Sequence, residues 1–260
     1  MIHFAGLKAV GESVEKAARV LRQQCARTIE LMMAIAAAKV RTFVFLSSAT
    51  VYGEPDSAIF REDFPLAAVN TYGRTKVMIE HVLEDLYRSN PEWNIARLRY
   101  FNPVGAHHSG LIGEDPRGVP NNLMPFISQV AVGRREKLRV YGNDYPTPDG
   151  TGVRDYIHVM DLAEGHVAAL RYCQDKGGML AVNLGTGQGS SVLQVIHAFE
   201  KASSRTIPYE IVARRPGDIA QYWADPGLAL AKLGWKTKRG LVEMCADSWR
   251  WQSNNPEGIQ

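Results

Sequence analysis

The sequence predicts an α/β protein built on a parallel sheet, and two observations support this prediction. Apolar runs typical of buried strands occur at residues 43–47 and 95–100. A stretch with helical periodicity, residues 72–89, lies between them. Strands that alternate with helices in this way pair in parallel, because each crossover helix returns the chain to the same edge of the sheet. A chain of 260 residues is long enough to bury one large core or two smaller ones.

The other elements follow from local patterns along the chain. Residues 1–5 are a short apolar run before a glycine, and Ser13 is the expected N-cap of a helix that continues through residue 39. The helix at residues 72–89 should end there, because Pro91 disfavours helical backbone in the residue before it. The remaining pattern predicts a strand at 153–159, a helix at 161–174, a strand at 181–184, a helix from 191, a strand at 209–212 and a Trp-rich C-terminal helix.

Composition and charge argue against several classes of protein. The net charge is only +3 and the basic residues are scattered, so nucleic acid is not an expected partner. Cys25, Cys173 and Cys245 show no metal or disulfide spacing, which indicates reduced thiols in a cytoplasmic protein. The longest strongly apolar stretch, residues 31–38, is too short to span a membrane, and no signal peptide is recognised. We therefore expect no metal site and no membrane partner.

Three residues form the strongest candidate for a catalytic site. Tyr72 and Lys76 are four residues apart, so they lie on one face of the predicted helix. Ser48 follows the predicted strand at residues 43–47, at the edge where open α/β sheets bind their ligands. A free tyrosine has a pKa of about 10, and the positive charge of Lys76 should favour its phenolate form. This arrangement suits the removal of a proton and a hydride from a secondary alcohol, with the serine hydroxyl bonded to the same oxygen.

A second Tyr-x-x-x-Lys pair indicates how unspecific this spacing is when it stands alone. Tyr172 and Lys176 repeat it, but no serine motif precedes them, and Gly177-Gly178 indicate a helix end. We interpret this second pair as solvated surface. For the first pair, a core tyrosine with a surface lysine is the alternative interpretation, and the preceding strand, serines and loop argue against it.

Longer motifs extend along the whole chain: HFAGLKAVGES at residues 3–13, SSATVYG at 47–53, LRYFNPVGAH at 98–107, GVPNNLMP at 118–125, and GNDYP at 142–146 with GTGVRDYIHV at 150–159. Together with the Tyr72 motif, they resemble the nucleotide-sugar epimerase branch of the extended short-chain dehydrogenases, and within it the UDP-glucose 4-epimerase family. The resemblance implies an α/β fold with a truncated Rossmann-like parallel sheet and a smaller α/β substrate-binding domain formed by C-terminal segments.

The resemblance also implies an activity and the residues that perform it. The activity is interconversion of UDP-glucose and UDP-galactose, with a tightly bound NAD that takes hydride from sugar C4 and returns it to the other face. Tyr72 would be the base, Ser48 would bond the same hydroxyl, and Lys76 would hold the nicotinamide ribose. The implied cofactor-binding residues are Phe4, Lys8, Ser47, Tyr72, Lys76 and Tyr100. The implied substrate-binding residues are Ser48, Asn102, Asn122, Leu123, Tyr141, Arg154, Arg215, Asp218 and Tyr222.

Domain boundaries and an assembly follow from the same resemblance. A partial NAD-binding Rossmann-like domain would comprise residues 1–103 and 153–185. A UDP-sugar-binding domain would comprise residues 104–152 and 186–260. Members of the family commonly pair through two helices like those predicted before and after the Ser48 motif, so we expect a cytoplasmic homodimer held by a four-helix packing.

The chain departs from the family pattern in two places. It starts at what resembles the fourth strand of the family, without the G-x-x-G-x-x-G turn and the acidic residue that hold the dinucleotide. We expect two consequences, weak cofactor binding and exposed apolar side chains at the sheet edge and on the helix of residues 13–39. In addition, members of the family have an Asn-rich stretch that contains a Gly where this chain has residues 22–27. The asparagine side chains of that stretch serve the nicotinamide side of the site in the family.

One segment imitates a dinucleotide fingerprint elsewhere in the chain. Residues 185–190, GTGQGS, follow a predicted strand and precede a helix, and Glu210 lies about 20 residues further on. The third glycine of the fingerprint is missing, and the alternative interpretation is a tight turn with a helix N-cap.

The sequence leaves two other functions open. A non-catalytic UDP-sugar-binding fragment fits the missing glycine turn, but it leaves the intact set of Ser48, Tyr72 and Lys76 without a purpose. A related NAD-dependent nucleotide-sugar 4,6-dehydratase would need an acidic pair beside the serine. Ala49 and Thr50 follow Ser48 instead, which favours the epimerase.

Overall fold

The chain divides into two units, seen in a computed structural model that describes residues 1–6, 10–215 and 217–259. Unit 1 comprises Met1–Phe101, Glu164–Leu184 and Ala224–Lys236. Unit 2 comprises Asn102–Ala163, Gly185–Trp223 and Thr237–Gln260. Each unit is therefore assembled from segments that are distant in the sequence.

The secondary structure alternates between strands and helices along most of the chain. Up to residue 100 the elements are β1 (Ile2–His3), α1 (Val10–Glu15), α2 (Ala17–Leu21), a π-helical segment (Arg22–Ala26), α3 (Arg27–Ala37), β2 (Thr42–Ser48), a 3-10 turn (Ala49–Tyr52), β3 (Ile59–Phe60), α4 (Thr71–Ser89) and β4 (Asn94–Tyr100). After residue 100 they are β5 (Asn102–Val104), α5 (Leu123–Ala131), β6 (Leu138–Tyr141), β7 (Val153–His158), α6 (Val159–Asp175), β8 (Met179–Leu184), β9 (Gly189–Ser191), α7 (Val192–Ser203), β10 (Tyr209–Val212), β11 (Gln221–Ala224), α8 (Gly227–Leu233) and α9 (Leu241–Asn254).

Unit 1 is built on a parallel sheet with the strand order β1-β2-β4-β8. β2 and β4 are inner strands, and their apolar runs are continuous because both faces of such strands are covered. The predicted parallel α/β architecture is confirmed, and β2, α4 and β4 lie within one residue of their predicted ends. Side chains of α3 and α4 pack against the inner strands in a core formed by Met32, Ile35, Phe43, Phe45, Ile79, Leu83, Trp93 and Ile95.

The helix predicted for residues 13–39 is interrupted in the structure. It consists of α1, α2, the π-helical segment and α3, which ends at Ala37. The prediction that Ser13 is the N-cap of this helix is wrong, because Ser13 lies buried inside α1. Its Oγ accepts a hydrogen bond from the Tyr72 amide, 3.1 Å away. Tyr72 belongs to the first turn of α4, where amides have no partner within the helix, so Ser13 satisfies a helix other than its own.

The π-helical segment coincides with the stretch in which the chain departs from the family pattern. π-Helical hydrogen bonds span five residues, and such turns occur frequently at functional sites. Within the segment, Gln24 is buried. A Cβ added to Gly6 would lie 2.7 Å from Gln24 Oε1. Gly6 therefore permits the close approach of the Gln24 amide to the backbone that follows β1.

Large apolar side chains are exposed near β1 and along the interrupted helix, as the sequence predicted. β1 is a two-residue strand at the edge of its sheet. The exposed side chains are Met1, Phe4, Val14, Ile29 and Met33. Within the described ranges, none of the helices combines the length and apolarity needed to cross a bilayer.

Unit 2 contains a sheet in which β7 pairs in parallel with β5 and β11 and antiparallel with β9. A separate parallel pair joins β6 to β10. α7 begins, as predicted, near residue 191, and a capping box formed by Ser191 and Gln194 starts it. Helices α5, α7 and α9 share a core with these strands, formed by Val104, Met124, Ile127, Val130, Leu138, Val140, Tyr156, Val195, Ile196, Phe199, Ile207, Met244 and Cys245.

The two units differ from the predicted domains at two segments. β7 falls within the predicted cofactor domain, but it pairs with β5, β9 and β11 and lies in unit 2. Ala224–Lys236 falls within the predicted UDP-sugar domain, but it belongs to unit 1, where α8 contacts β8. Both differences arise from pairings between segments that are far apart in the sequence, which local patterns do not reveal.

Candidate active site

The end of β2 and the first turns of α4 bring Ser48, Tyr72 and Lys76 together in unit 1. Ser48 is the last residue of β2, and Asn70 caps α4 through Oδ1, which accepts a hydrogen bond of 2.8 Å from the Gly73 amide. Tyr72 consequently lies in the first turn, and Lys76 lies one turn later on the same face. Lys76 Nζ is 5.5 Å from the centroid of the Tyr72 ring.

Lys76 is a buried cation, only 6% exposed. Its ammonium donates a hydrogen bond of 2.9 Å to the Leu46 carbonyl in β2 and lies 5.0 Å from the centroid of the Phe45 ring. Burial lowers the pKa of Lys76 to about 8, because the ammonium group loses its hydration. The side chain is therefore still mainly charged at pH 7.

The side chain of Ser48 interacts with that of Tyr72 and favours its phenolate form. Ser48 Oγ accepts two hydrogen bonds from Thr50, from its amide at 3.2 Å and its hydroxyl at 3.0 Å, which leaves the serine proton for Tyr72. Burial raises the pKa of Tyr72, and the interaction with Ser48 opposes that rise. The pKa of Tyr72 is therefore raised by burial in this structure, whereas the sequence predicted a lowering through Lys76, whose Nζ lies 5.5 Å from the ring centroid.

A buried ionic network holds the strand end that carries the serine. Glu80, one turn beyond Lys76 on α4, accepts a hydrogen bond of 2.5 Å from Ser47 Oγ. Both of its oxygens also accept from Arg99, at 3.1 and 2.7 Å. Burial alone would raise the pKa of Glu80, but the bonds and charge of Arg99 hold it below its ordinary value. Sequence reasoning missed Glu80, although its four-residue spacing from Lys76 is a signal that could have identified it.

Two of the predicted cofactor residues, Phe4 after β1 and Tyr100 at the end of β4, contact the ring of His166. Phe4 is exposed and stacks on His166, with the ring centroids 5.0 Å apart. The Tyr100 hydroxyl is hydrogen-bonded to His166 Nε2, and burial raises the pKa of Tyr100. His166 comes from α6, and no motif in the sequence pointed to it. Lys8, the remaining predicted cofactor residue, lies outside the described residues.

Three of the predicted substrate residues lie on adjacent strands of unit 2. Asn102 begins β5, Arg154 lies in β7 and Tyr222 in β11, where Tyr222 is in register with Arg154. The Arg154 guanidinium lies 4.8 Å from the centroid of the Tyr222 ring. The Tyr222 hydroxyl donates to Asn102 Oδ1 at 3.4 Å. This group presents amide, phenol and guanidinium groups side by side, which suits a ligand with both hydroxyl and phosphate oxygens.

The other predicted substrate residues occupy two further places in unit 2. Arg215 is exposed, and its guanidinium lies 3.8 Å from the centroid of the Tyr141 ring. The Asp218 amide donates to the Arg215 carbonyl at 3.2 Å, which closes a turn after β10. Asn122 and Leu123 form the start of α5, with the Asn122 side chain exposed.

In the glycine-rich turn at residues 185–190, two backbone amides already donate hydrogen bonds to a carboxylate of the chain itself. The Thr186 and Gly187 amides donate to the Asp155 carboxylate at distances between 2.9 and 3.0 Å. The same carboxylate accepts from the Thr186 hydroxyl at 2.6 Å. The interpretation as a separate dinucleotide site is therefore wrong, because an internal carboxylate already occupies the position where a pyrophosphate would bind. The segment is a tight turn that leads to the Ser191 cap.

The second Tyr-x-x-x-Lys pair was predicted as solvated surface, which holds for Lys176, whereas Tyr172 is half-buried. Lys176 is exposed and follows the end of α6 at Asp175. Gly177 and Gly178 both adopt positive φ and end the helix.

Comparisons with known proteins identify the family of the chain. Residues 1–248 match the protein family described as GDP-mannose 4,6 dehydratase. The chain is 59% identical to the UDP-glucose 4-epimerase of Bacillus subtilis over 260 residues, which is all of this chain and 77% of that protein. A solved UDP-glucose 4-epimerase from Bifidobacterium longum, in complex with NAD+ and UDP, has a TM-score of 0.95 and 51% identity over 99% of this chain and 77% of that one. The enzyme from Stenotrophomonas maltophila, with bound NAD and formylated UDP-arabinopyranose, has a TM-score of 0.96 and 50% identity over 98% and 76%.

The parallel sheet and the Ser48, Tyr72 and Lys76 set define an extended short-chain dehydrogenase. Within that class, the level of identity over the whole chain is decisive: the chain belongs to the UDP-glucose 4-epimerase family. This membership favours the epimerase interpretation over the dehydratase and over the non-catalytic fragment.

Proposed function

We propose that the protein interconverts UDP-glucose and UDP-galactose with NAD as its cofactor. Relatives named UDP-glucose 4-epimerase share more than half of its residues, and a solved relative contains NAD+ and UDP. The single observation that carries the proposal for this chain is the buried Lys76 beside the interacting side chains of Ser48 and Tyr72. A cation in a core position, held against a tyrosine, is difficult to explain by stability alone.

The donor set around Lys76 fits the ribose of a nicotinamide nucleotide. An ammonium group has three N–H donors, and among the described residues Lys76 uses one of them, towards the Leu46 carbonyl. The others suit the two ribose hydroxyls. We assign Phe4, Lys8, Ser47, Tyr72, Lys76 and Tyr100 to the cofactor. When bound, NAD supplies the acceptor for the hydride of sugar C4 and the donor for its return.

Tyr72 moves the proton that accompanies this hydride. As the phenolate it takes the proton of the sugar 4-hydroxyl, while Ser48 bonds the same oxygen. It gives the proton back when the 4-keto sugar has presented its other face. The charge of Lys76 and the interaction with Ser48 favour the phenolate, and burial favours the phenol. These opposing influences suit a group that must both accept and return a proton in each cycle.

Most of the residues that we assign to the substrate lie in unit 2. Arg154 and Arg215 bind the diphosphate, because guanidinium groups form paired hydrogen bonds with phosphate oxygens. The remaining contacts are assigned as follows: Asn102, Asn122, Leu123 and Tyr222 with Ser48 to the UDP-sugar, Tyr141 to the uracil, and Asp218 to the ribose. The residues assigned to NAD accordingly lie in unit 1, and those assigned to the UDP-sugar lie in unit 2 apart from Ser48.

We also propose that the protein is a cytoplasmic homodimer. Ile29 and Met33 on α3 and Met78 on α4 are exposed, although such side chains usually find cover. A second copy could cover them by pairing the same two helices. Among the described residues the three cysteines form no disulfide, which suits a reducing compartment. Sedimentation velocity gives the oligomeric state, and a monomer at micromolar concentration would contradict the dimer.

An assay with two matched variants tests the activity. The purified protein, supplied with excess NAD, is incubated with UDP-galactose, and the formation of UDP-glucose is followed. The nucleotide released on denaturation measures the bound cofactor. We expect Tyr72→Phe to lower kcat by about 100-fold or more, since it removes the proton-transferring group. Tyr172→Phe, in the second Tyr-x-x-x-Lys pair, should be without effect. Absence of UDP-glucose with the unaltered protein, or equal loss in both variants, would refute the proposal.

A further inference from the structure

Tyr145 is a buried tyrosine whose hydroxyl makes no hydrogen bond within the described part of the chain. The side chain is 6% exposed, and its oxygen is enclosed. Buried phenol groups normally have a partner, because burial without one is costly. We therefore expect the hydrogen-bond partner of the Tyr145 hydroxyl to come from outside the chain.

The ring of Tyr145 is held firmly in the loop between β6 and β7. The Tyr145 amide donates to the Gly150 carbonyl at 3.0 Å, and its carbonyl accepts from the Thr147 amide at 2.7 Å. Gly142 has a φ of +81°, and a Cβ added there would lie 2.7 Å from Tyr145 Cε2. The ring thus packs directly on glycine backbone, and its hydroxyl has a defined position.

The cover of the ring is a surface side chain. The Arg214 guanidinium lies 4.1 Å from the ring centroid, and Arg214 is 43% exposed. Its charge is committed to the exposed Asp144, whose Oδ1 accepts from Arg214 Nε at 2.7 Å. A side chain of this kind can turn aside without any change in the core of unit 2, which would uncover this face of the Tyr145 ring.

The charged groups that act on Tyr145 include two of the residues assigned to the nucleotide, Asp218 and Arg154. Burial raises the pKa of Tyr145, and Asp218 adds to that rise, so the phenol keeps its proton at neutral pH. A protonated phenol can donate a hydrogen bond. Its ligand must therefore offer an acceptor oxygen near the Asp218 and Arg154 side chains.

We propose that the Tyr145 hydroxyl contacts the nucleotide, where it donates a hydrogen bond to an oxygen of UDP. This assignment rests on the proposed binding of a UDP-sugar by unit 2. Tyr145 thereby joins the predicted substrate-binding residues. Among those residues, Tyr141 ends the strand β6 that leads into the same loop. The oxygen is either on the phosphates or on the nucleoside, and the experiment separates the two.

Isothermal titration with UDP compares the unaltered protein with Tyr145→Phe, which removes only the hydroxyl. We expect the dissociation constant to rise about threefold to tenfold, as for the loss of one neutral hydrogen bond. The melting temperature without ligand should stay the same or rise, because an unbonded polar group has been removed from the interior. Tyr209→Phe, at an exposed tyrosine of β10, is the matched control and should bind UDP normally. Titration with uridine should show the same loss if the oxygen belongs to the nucleoside, and no loss if it belongs to a phosphate.

Equal UDP affinity of Tyr145→Phe and the unaltered protein would overturn this assignment and leave the proposed function intact. A lower melting temperature of the variant in that case would indicate that the hydroxyl binds a water or an internal partner. If the unaltered protein does not bind UDP at all, the proposed function and this assignment fail together.

Discussion

Replacement of Lys76 by methionine should stabilise the protein at neutral pH while it abolishes activity. The pKa of this lysine falls from its ordinary value of 10.5 to about 8 on folding. Each pKa unit corresponds to about 1.4 kcal/mol, so the buried charge costs about 3 kcal/mol of folding free energy at pH 7. The lost hydrogen bond to the Leu46 carbonyl offsets about 1 kcal/mol of the gain. We therefore expect Lys76→Met to raise the free energy of unfolding by about 2 kcal/mol.

The pH dependence of this difference identifies its cause. Below pH 8 the lysine is protonated in both the folded and the unfolded state, and the full cost of the buried charge is present. Between about pH 8 and 10.5 the unfolded chain holds more protons than the folded protein, so the stability of the unaltered protein rises with pH. The advantage of Lys76→Met should shrink over this window and reverse by about 1 kcal/mol above it, where only the lost hydrogen bond counts.

Urea unfolding at pH 7, 8, 9 and 10 measures the difference. Other groups that titrate in this range affect both proteins and cancel in the comparison. Lys176→Met, at the exposed lysine of the second pair, should change stability by less than about 0.5 kcal/mol at every pH. If the difference between Lys76→Met and the unaltered protein is independent of pH, or if methionine destabilises at pH 7, burial does not lower the lysine pKa as argued.

Two further substitutions test the contacts that position the site. Glu80→Gln should destabilise the protein by about 3–5 kcal/mol, because it leaves the buried Arg99 charge unpaired, and Glu80→Gln/Arg99→Met should recover part of that loss in urea unfolding. No recovery in the double variant would show that the pair is not the cause. Ser13→Ala should cost about 1 kcal/mol by leaving the Tyr72 amide without its acceptor, a loss comparable to that of Asn70→Ala at the cap of the same helix. A thermal unfolding curve of Ser13→Ala that superimposes on the unaltered one would contradict that role.

Local sequence determined the elements that carry the catalytic residues. The apolar run that became β2 is buried because an inner parallel strand has both faces covered. Tyr72 and Lys76 share a face of α4 because residues four apart always do in an α-helix. The cap at Ser191 and the exposed state of Lys176 were likewise predictable, since both depend on residues within one turn of each other.

Tertiary structure decided what those residues can do. Ser13 caps a helix 59 residues away, and Asp155 fills the glycine turn 31 residues further on. The burial that sets the pKa values of Lys76 and Tyr72 likewise depends on packing between distant parts of the chain. Spacing in a sequence specifies which side chains share a face. Hydration and long-range partners, which set charge state and the hydrogen bonds left for a ligand, arise only when distant segments pack together.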